Sequence, residues 1–372
     1  MKSSKPQFDG KKVKVKLADV CTLTMGQSPS SNSYNEIGNG IPFFQGNADF
    51  GEEAPVPRVW CTDPKKTAEG GDLLISVRAP IGAVNMAVER CCIGRGVAAI
   101  HPNDDSISVD FLKHQLLSKR RELETMGTGS TFKAVGKKSL GNLTLVLYPE
   151  DTQHEIERCL NQIKKQIKAI SSQSSKLDSL VKSRFVEMFG TPDNNIHSLP
   201  IKTMGEISEQ LIAGGDKPRK ISKNKDLKHP YPVFANGTIA DGLQGFSEEA
   251  RVNKSAVTIA ARGTIGFCLV REPGFTPVVR LISLVPKPSI NVVYLKYFID
   301  LLNLAGSGSS QAQLTLPAFR EQQILVPELK EQLEFSTFVA QVDKSRFGGM
   351  LHLLNSLSGI MHASFFSVAD TD

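Results

Sequence analysis

The sequence predicts an α+β protein made of two tandem copies of one domain, each followed by a long helix. Three observations lead to this prediction. The chain contains an internal repeat, both copies show short strand-like segments between turns rich in Gly, Pro and Asn, and an apolar heptad pattern follows each copy. We expect the two long helices to pair as an antiparallel coiled coil. The expected boundaries are 1–150 and 191–327 for the domains, and 151–190 and 328–368 for the helices.

Length and composition fit two globular domains. The chain has 372 residues and a net charge of +6, from 44 Lys and Arg against 38 Asp and Glu. At roughly 100–200 residues per domain, this length allows two domains and a connector. A hydrophobic content of 40% excludes a disordered chain. No run approaches the ~18 apolar residues of a membrane span, and no secretory signal opens the chain, so we expect a cytoplasmic protein without membrane contact.

The repeat is the feature that organises the chain. Residues 71–102 align with residues 255–286 without a gap, at an offset of 184 residues. Arg78 falls on Arg262, and the Ile-Gly pair at 81–82 falls on the pair at 265–266. Shorter matches precede and follow these blocks in the same order. An offset this long far exceeds a solenoid unit, so it indicates duplication of a whole domain.

The first helix follows from apolar residues that recur mostly at alternating steps of four and three, the rhythm of a coiled-coil seam. These positions are Ile156, Leu160, Ile163, Ile167, Ile170, Leu177 and Val181. Gly190 and Pro192 then end the helix. The polar run at 171–175 is expected to weaken it.

The second helix is expected from about residue 328 to residue 366. Its apolar side includes Phe338, Val342, Leu354 and Leu357. Gly348 and Gly349 interrupt the pattern, which predicts a kink or weak point there. Most apolar positions of such helices form core, and the same positions are candidates for docking a partner.

Basic residues in both copies are candidates for binding a polyanion. Arg78 and Arg262 each follow an apolar strand, where a guanidinium can reach a phosphate or a guanine edge, or instead pair within its own fold. Local basic clusters are typical of faces that bind a phosphate backbone, although any single cluster is usually solvated surface. The cluster candidates are Lys133, Lys137, Lys217, Arg219 and Lys220.

Amide side chains follow the matched Pro-x-Phe segments of the two copies. Gln45, Asn47 and Asn236 lie in these loops and could hydrogen-bond to adenine. Asn in a Gly-rich loop also has a purely local use in stabilising a turn. Both interpretations remain open at the level of sequence.

Motifs for self-contained catalysis are missing from the sequence. The six cysteines form no C-x-x-C pair, so reduced, buried thiols are expected and no metal site is predicted. The Gly-Lys stretch at 136–138 lacks the glycine spacing of a phosphate loop. No nucleophile elbow, zinc-protease helix or dinucleotide-binding glycine pattern occurs. We therefore expect a non-catalytic chain that binds no cofactor itself.

The order of these features resembles the specificity subunit of Type I restriction-modification systems. The resemblance rests on the Gly71-Asp-Leu-Leu-Ile-Ser-Val-Arg-Ala-Pro-Ile-Gly82 block and its partner at 262–266. It also rests on the Gly-Ser motifs at 127–130 and 306–309, the Tyr148-Pro and Val326-Pro junctions, and the helix ending at 177–189. It covers essentially the whole chain, and the repeated order carries more weight than any one motif.

The resemblance implies that each copy is a target-recognition domain for one half of a bipartite, asymmetric site in double-stranded DNA. The helices would fix the separation of the half-sites and dock two methyltransferase subunits that carry S-adenosylmethionine. Translocase-nuclease subunits, which use ATP and Mg²⁺, would join for cleavage.

Two other classes of function remain. Duplicated adaptor domains on a coiled coil could bind protein partners rather than DNA, and the mild net charge favours this alternative slightly. A one-chain restriction enzyme would require methyltransferase and nuclease motifs, which the sequence lacks.

Overall fold

The computed structural model describes residues 12–128, 133–302, 304, 313–346 and 348–367. The chain forms two compact units. The first comprises Met1–Ser171 and Gly348–Asp372, and the second comprises Ser172–Phe347. The Gly-Ser motif at 306–309 and residues 129–130 of its partner lie outside the described residues. The first unit is discontinuous in sequence, because the last helix of the chain belongs to it.

The first unit begins with short strands and helices that alternate along the chain. Its strands are β1 (Val13–Lys16), β2 (Cys21–Met25), β3 (Tyr34–Asn35), β4 (Ile41–Phe44), β5 (Trp60–Cys61), β6 (Thr67–Ala68), β7 (Leu73–Ser76), β8 (Val84–Met86), β9 (Cys91–Ile93), β10 (Val97–Pro102) and β11 (Thr144–Leu147). Its helices are α1 (Leu17–Val20), α2 (Val109–Ser118), α3 (Arg120–Met126), α4 (Lys137–Gly141) and the first part of α5 (Glu150–Phe189).

Strand β7 lies between two hydrophobic cores. It belongs to an antiparallel sheet of order β2-β10-β7-β8. Leu73 and Ile75 pack with Phe111 of α2 on one face, whereas Leu74 packs with Ile93 of the second sheet, β3-β5-β4-β9-β6, on the other. Because both faces are covered, the strand has a continuous apolar sequence rather than an alternating one. This packing fixes the place where β7 ends.

The second unit repeats the central elements of the first. Its strands are β12 (Ile201–Thr203), β13 (Ser208–Ala213), β14 (Tyr231–Phe234), β15 (Leu243–Ser247), β16 (Ala256–Ile259), β17 (Cys268–Arg271), β18 (Thr276–Pro277), β19 (Ile282–Pro286) and β20 (Gln323–Leu325). Its helices are the second part of α5, α6 (Met204–Ile207), α7 (Val292–Leu301), α8 (Leu316–Arg320) and α9 (Leu329–Lys344). Helix α10 (Gly348–Phe366) returns to the first unit.

The two units share one arrangement of strands. The sheet β13-β19-β16-β17 has the order of β2-β10-β7-β8, and the pair β12-β20 corresponds to β1-β11. Val257 and Ile259 of β16 pack with Tyr294 of α7, as Leu73 and Ile75 pack with Phe111. The outer sheets differ, because β15-β14-β18 replaces β3-β5-β4-β9-β6. The repeat in sequence is therefore a repeat of the α+β fold.

A buried glutamine joins each long helix to its domain. The Gln153 side-chain amide donates to the carbonyls of Ser106 and Tyr148, both at 2.8 Å. Gln332 donates likewise to Ser289 and Pro327, and its oxygen accepts the N–H of Asn291 at 2.8 Å. Both glutamines are almost fully buried. The junctions after Tyr148-Pro and Val326-Pro thus share one hydrogen-bonding arrangement, in which a buried glutamine ties the long helix to its domain.

Helix α5 is continuous from Glu150 to Phe189, so the polar run at 171–175 does not break it. In the first unit Ile156, Leu160 and Ile163 are buried, whereas Ile167 and Ile170 are half-buried. In the second unit Val181 is fully buried and Leu177 packs partly against the core.

Helix α9 packs antiparallel to the end of α5 within the second unit. The rings of Phe185 and Phe335 lie 5.2 Å apart, and Arg346 pairs with Asp178 at 2.7 Å. Later residues of the α9 segment therefore lie beside earlier residues of α5, so the two segments run in opposite directions. Phe338 packs partly against this core, and Val342 is buried. Helix α9 ends at Lys344 and α10 begins at Gly348, so the expected single helix is two helices, separated just before the glycine pair.

Helix α10 buries only part of the apolar side that the sequence predicted. Phe366 is buried in the first unit, with Met361 and Phe365 packed beside it. Leu354 is half-buried, but Leu357 is 43% exposed and lies outside the buried side. It belongs to a second apolar stripe of exposed residues at heptad spacing: Met350, Leu353, Leu357 and Ile360. Among the described residues, no helix has the length and apolarity to cross a membrane.

Candidate nucleic-acid interface

In the first unit, four chain segments meet side by side where β7 ends. The Gly96 N–H donates to the carbonyl of Gln45 at 3.0 Å, and the Val77 N–H donates to the carbonyl of Gly96 at 2.9 Å. The Val135 N–H then donates to the carbonyl of Val77 at 2.9 Å. A Cβ at position 96 would lie 2.3 Å from the Gln45 oxygen, so this close approach requires glycine. We call this row of segments the first strand-end edge.

Several of the predicted residues lie on the first strand-end edge. Arg78 directly follows Val77 and forms a β-bridge with Ala134, the neighbour of Lys133. Arg78, Gln45 and Lys133 are exposed, whereas Asn47 is half-buried at the start of a 3-10 turn. The structure therefore brings a guanidinium, an amide and an ammonium group to one edge. Such a set can donate hydrogen bonds to phosphate oxygens or to base acceptors.

The loop that carries Gln45 is held by a carboxylate. Asp49 accepts the backbone N–H of Gln45 at 2.7 Å and that of Gly46 at 3.2 Å. Its other oxygen pairs with Arg58 at 2.6 Å. Because Asp49 takes up the backbone donors, the Gln45 side chain is not needed to stabilise the turn.

Lys137 is the first residue of α4 and is exposed. It follows Lys133 on the same segment that borders Arg78, with Val135 buried between them. Both lysines are therefore exposed on this segment, on either side of a residue that anchors it in the core.

In the second unit, Arg262 occupies the same place at the end of its strand but has a built-in partner. It forms a β-bridge with Gln313. The Arg262 guanidinium donates to the Gln313 side-chain oxygen from Nε at 3.0 Å and from a terminal nitrogen at 2.7 Å. Arg280 donates to the same oxygen at 3.1 Å. Arg262 therefore does pair within its own fold, but its partner is a neutral amide that orients two guanidinium groups.

Asn236 has a structural role where β16 ends, at the group of segments that carry Asn236, Ala261, Val279 and Gln313, which we call the second strand-end edge. Its side-chain oxygen accepts the Ala261 N–H at 2.8 Å, and its side-chain nitrogen donates to the carbonyl of Val279 at 2.6 Å. Asn236 thus joins the segment before Arg262 to the segment before Arg280. Its amide is oriented by the backbone, so the turn-stabilising interpretation describes this residue better than direct adenine readout does.

The remaining basic candidates of the second unit lie in an exposed loop after β13. Lys217, Arg219 and Lys220 are all exposed. Arg219 and Lys220 line a cleft of about 350 Å³ together with Glu248 and Glu249. Carboxylates facing these two side chains weaken the local positive potential. They are therefore weaker candidates for a phosphate contact than residues on the strand-end edges.

Sequence reasoning missed three residues at these edges. Arg95 is exposed beside Gly96 in the first unit, and its Nε donates to the Ser28 hydroxyl at 3.3 Å. Arg280 and Gln313 complete the cluster of the second unit. Arg95 and Arg280 lie inside the aligned blocks 71–102 and 255–286, where they could have been found. Gln313 carries no such signal, because only the β-bridge to Arg262 reveals it.

Three of the buried thiols are unsuited to nucleophilic chemistry. Burial raises the pKa of Cys21, Cys91 and Cys92 to about 12, so these groups are protonated at neutral pH. Cys159, by contrast, is exposed on α5, which corrects the expectation that every cysteine is buried. Within the described ranges no cluster of three or more metal-binding side chains occurs.

Comparison with known proteins identifies the family to which the sequence is similar. A sequence model described as the Type I restriction modification DNA specificity domain matches residues 10–178 and 200–352. The MjaX type I restriction enzyme specificity subunit of Methanocaldococcus jannaschii is 42% identical over 141 residues, which cover 38% of this chain and 33% of that protein. A type I specificity subunit of Mycoplasma pneumoniae is 28% identical over 205 residues, 54% of this chain and 56% of that protein.

A solved structure shows the same fold over nearly the whole chain. The S subunit of a Type I restriction-modification system from M. genitalium superposes with a TM-score of 0.62 at 16% identity, covering 99% of both chains. The family model also matches the chain twice in tandem, once in each repeated unit. The chain belongs to the family of Type I restriction modification DNA specificity domains.

Proposed function

We propose that this chain reads a bipartite, asymmetric site in double-stranded DNA, with each unit reading one half. The observation that supports the proposal most is the pair of strand-end edges. Both units carry an arginine at the same place in the fold, but its neighbours differ: Lys133 in one unit, Gln313 and Arg280 in the other. Two readers with one scaffold and different side chains would recognise two different half-sites.

In the proposed complex, the long helices fix the separation of the half-sites and dock two methyltransferase subunits. The apolar stripe of α10 supports docking, because exposed apolar side chains at heptad spacing suit a partner helix. A cleft of about 930 Å³ in the first unit, lined by Leu117, Leu160 and Ala363, adds a second apolar surface. Such a surface suits an amphipathic segment.

Catalysis is assigned to the partners in this proposal. The methyltransferase subunits would bring S-adenosylmethionine, and the translocase-nuclease subunits would bring ATP and Mg²⁺. The present chain would contribute sequence recognition and position.

The first test is the salt dependence of DNA binding by the chain co-purified with its methyltransferase partner. Phosphate contacts release counterions, so the logarithm of the binding constant should fall linearly with the logarithm of salt concentration. A slope near zero, with the complex intact by gel filtration, would reject DNA recognition and favour an adaptor that binds only proteins. A random duplex of equal length serves as the control, and should bind more weakly at every salt concentration.

A further inference from the structure

We propose that Arg280, oriented together with Arg262 by Gln313, determines base specificity in the half-site read by the second unit, where the pair recognises a guanine edge. The inference rests on the proposed function and assigns it to a residue that the repeat alone does not single out. Three properties of the cluster support it: Gln313 orients both arginines, the backbone holds Arg280 in place, and the first unit differs at the matching positions.

The Gln313 oxygen orients both guanidinium groups without neutralising them. It accepts two N–H groups of Arg262, at 3.0 and 2.7 Å, and one of Arg280, at 3.1 Å. A carboxylate in this place would cancel charge, whereas an amide leaves two positive charges facing the same acceptor. A guanidinium has five N–H donors, so several remain on each arginine for a ligand. Arg280 is exposed, and Arg262 and Gln313 are half-buried.

The backbone that carries Arg280 is held in an unusual conformation. Val279 and Arg280 have φ values of 51° and 62°, a left-handed region that residues other than glycine rarely adopt, least of all valine. Three hydrogen bonds maintain it. The N–H groups of Val279 and Arg280 donate to Gly215 and Gly214 at 2.8 and 2.7 Å, and Asn236 donates to the Val279 carbonyl.

A strained conformation that is fixed by several hydrogen bonds indicates a functional constraint on the side chain it presents. The segment beside it is tightly packed. A Cβ at Gly214 would lie 2.6 Å from the Val278 nitrogen, so the two strands approach as closely as their backbones allow. The backbone that carries Arg280 is therefore rigid, as direct readout of a nucleobase requires.

Among the residues of the first unit that the structure describes, this cluster has no counterpart. At the offset of 184 residues, Gly96 corresponds to Arg280 and Arg95 to Val279. Ala134 takes the place of Gln313 in the β-bridge to the strand-end arginine. No side-chain oxygen at position 134 can orient Arg78. The proposed guanine readout is therefore confined to one half-site.

Guanine is the base that fits this cluster. Its major-groove edge presents two acceptors, O6 and N7, and the commonest specific contact to them is a bidentate arginine. Two guanidinium groups and the Gln313 amide nitrogen are all donors. Cytosine and adenine each present an amino donor in the major groove, which such a cluster would leave unpaired.

The test uses the complex with its methyltransferase and a set of duplexes in which each base pair of both half-sites is replaced in turn. We expect Arg280→Ala to weaken binding of the complete site by about 10- to 100-fold. In this variant, replacing one particular G·C pair of one half-site should cause no further loss of affinity, because the side chain that reads that pair is already missing. Arg280→Lys should show the same loss, because a point charge cannot make the bidentate contact.

Two further variants separate specificity from folding and from charge. Arg280→Gly removes the side chain and relieves the left-handed backbone, so its melting temperature should not fall although its DNA affinity does. Lys287→Ala, which removes one exposed positive charge just after the end of β19 that is remote from Arg280, should bind every duplex as the parent complex does.

A different pattern would overturn the proposal. If Arg280→Ala lowers the affinity for all duplexes by one factor and makes the salt dependence shallower, Arg280 contacts a phosphate. Unchanged discrimination in the variant would also reject it. Failure of the parent complex to bind any duplex would instead reject the proposed function itself, so the two failures are distinguishable.

Discussion

Phe366, near the end of the chain, packs edge-on against Phe111 of α2, with ring centroids 5.4 Å apart and an interplanar angle of 72°. Phe366 is 4% exposed and Phe111 is fully buried, both in the core of the first unit. The last helix therefore completes a core whose other residues lie at the start of the chain. His362, one turn earlier, reinforces this contact through His114 at 3.3 Å.

We expect Phe366→Ala to destabilise the first unit by about 3–5 kcal/mol, the usual cost of removing a buried phenylalanine. Hydrogen exchange should speed up in α2 and β7 and stay unchanged in β16. Ile360→Ala is the control, because Ile360 is 65% exposed on the same helix. Equal protection of α2 in both variants would show that α10 does not stabilise this core.

The buried glutamines at the helix junctions give a second prediction. Replacing Gln332 by Leu leaves the carbonyls of Ser289 and Pro327 and the N–H of Asn291 without their partner. We expect the free energy of unfolding of the second unit to fall by about 3 kcal/mol, since unpaired buried polar groups are costly. Gln341→Leu, at an exposed position of α9, should change it by less than about 0.5 kcal/mol. Similar values for the two variants in urea denaturation would refute the junction role.

The ion pairs of Glu53 make the stability of the first unit depend on pH. Glu53 pairs with Lys113 at 2.7 Å and also with Lys164 of α5. Burial acts to raise its pKa, but the hydrogen bonds and charges of the two lysines outweigh burial and lower the pKa from 4.5 to about 2. Because the unfolded state binds the proton first, this carboxylate stabilises the fold above about pH 5 and progressively less towards pH 2.

The measurement is the difference in unfolding free energy between the parent chain and Glu53→Gln as a function of pH. It should be constant above about pH 5 and shrink on acidification, and it should be small, because the side chain is 46% exposed. Glu52→Gln, whose partner Lys168 is also exposed, is the control and should show a smaller effect. A difference that grows as the pH falls would contradict the sign of the pKa shift.

Much of the fold could be predicted because the central blocks of the repeat, 71–102 and 255–286, align without a gap. Arg78 and Arg262 lie at strand ends in both copies, where the aligned blocks placed them, and the order of strands follows. The partners of these arginines could not be predicted. Gln313 reaches Arg262 across 51 positions through a β-bridge, and no local pattern encodes that contact.

The helices show a different limit of sequence reasoning. Leu357 fits a heptad pattern, but α10 carries two apolar stripes, and only packing decides which one is buried. The polar run at 171–175 predicted weakness, yet α5 continues through it. Helix propensity is a weak constraint compared with the packing on either side. The strained backbone at Val279 and Arg280 is likewise set by tertiary hydrogen bonds.

The central claim is that two non-identical readers on one chain recognise two different half-sites. The most direct measurement is to sequence the DNA modified by the reconstituted methyltransferase complex, and to repeat it with Arg78→Ala and with Arg262→Ala. The account predicts a bipartite, asymmetric motif with a fixed spacer, in which Arg78→Ala relaxes only one half and Arg262→Ala only the other. A single continuous motif, or relaxation of the same half-site by both variants, would contradict it.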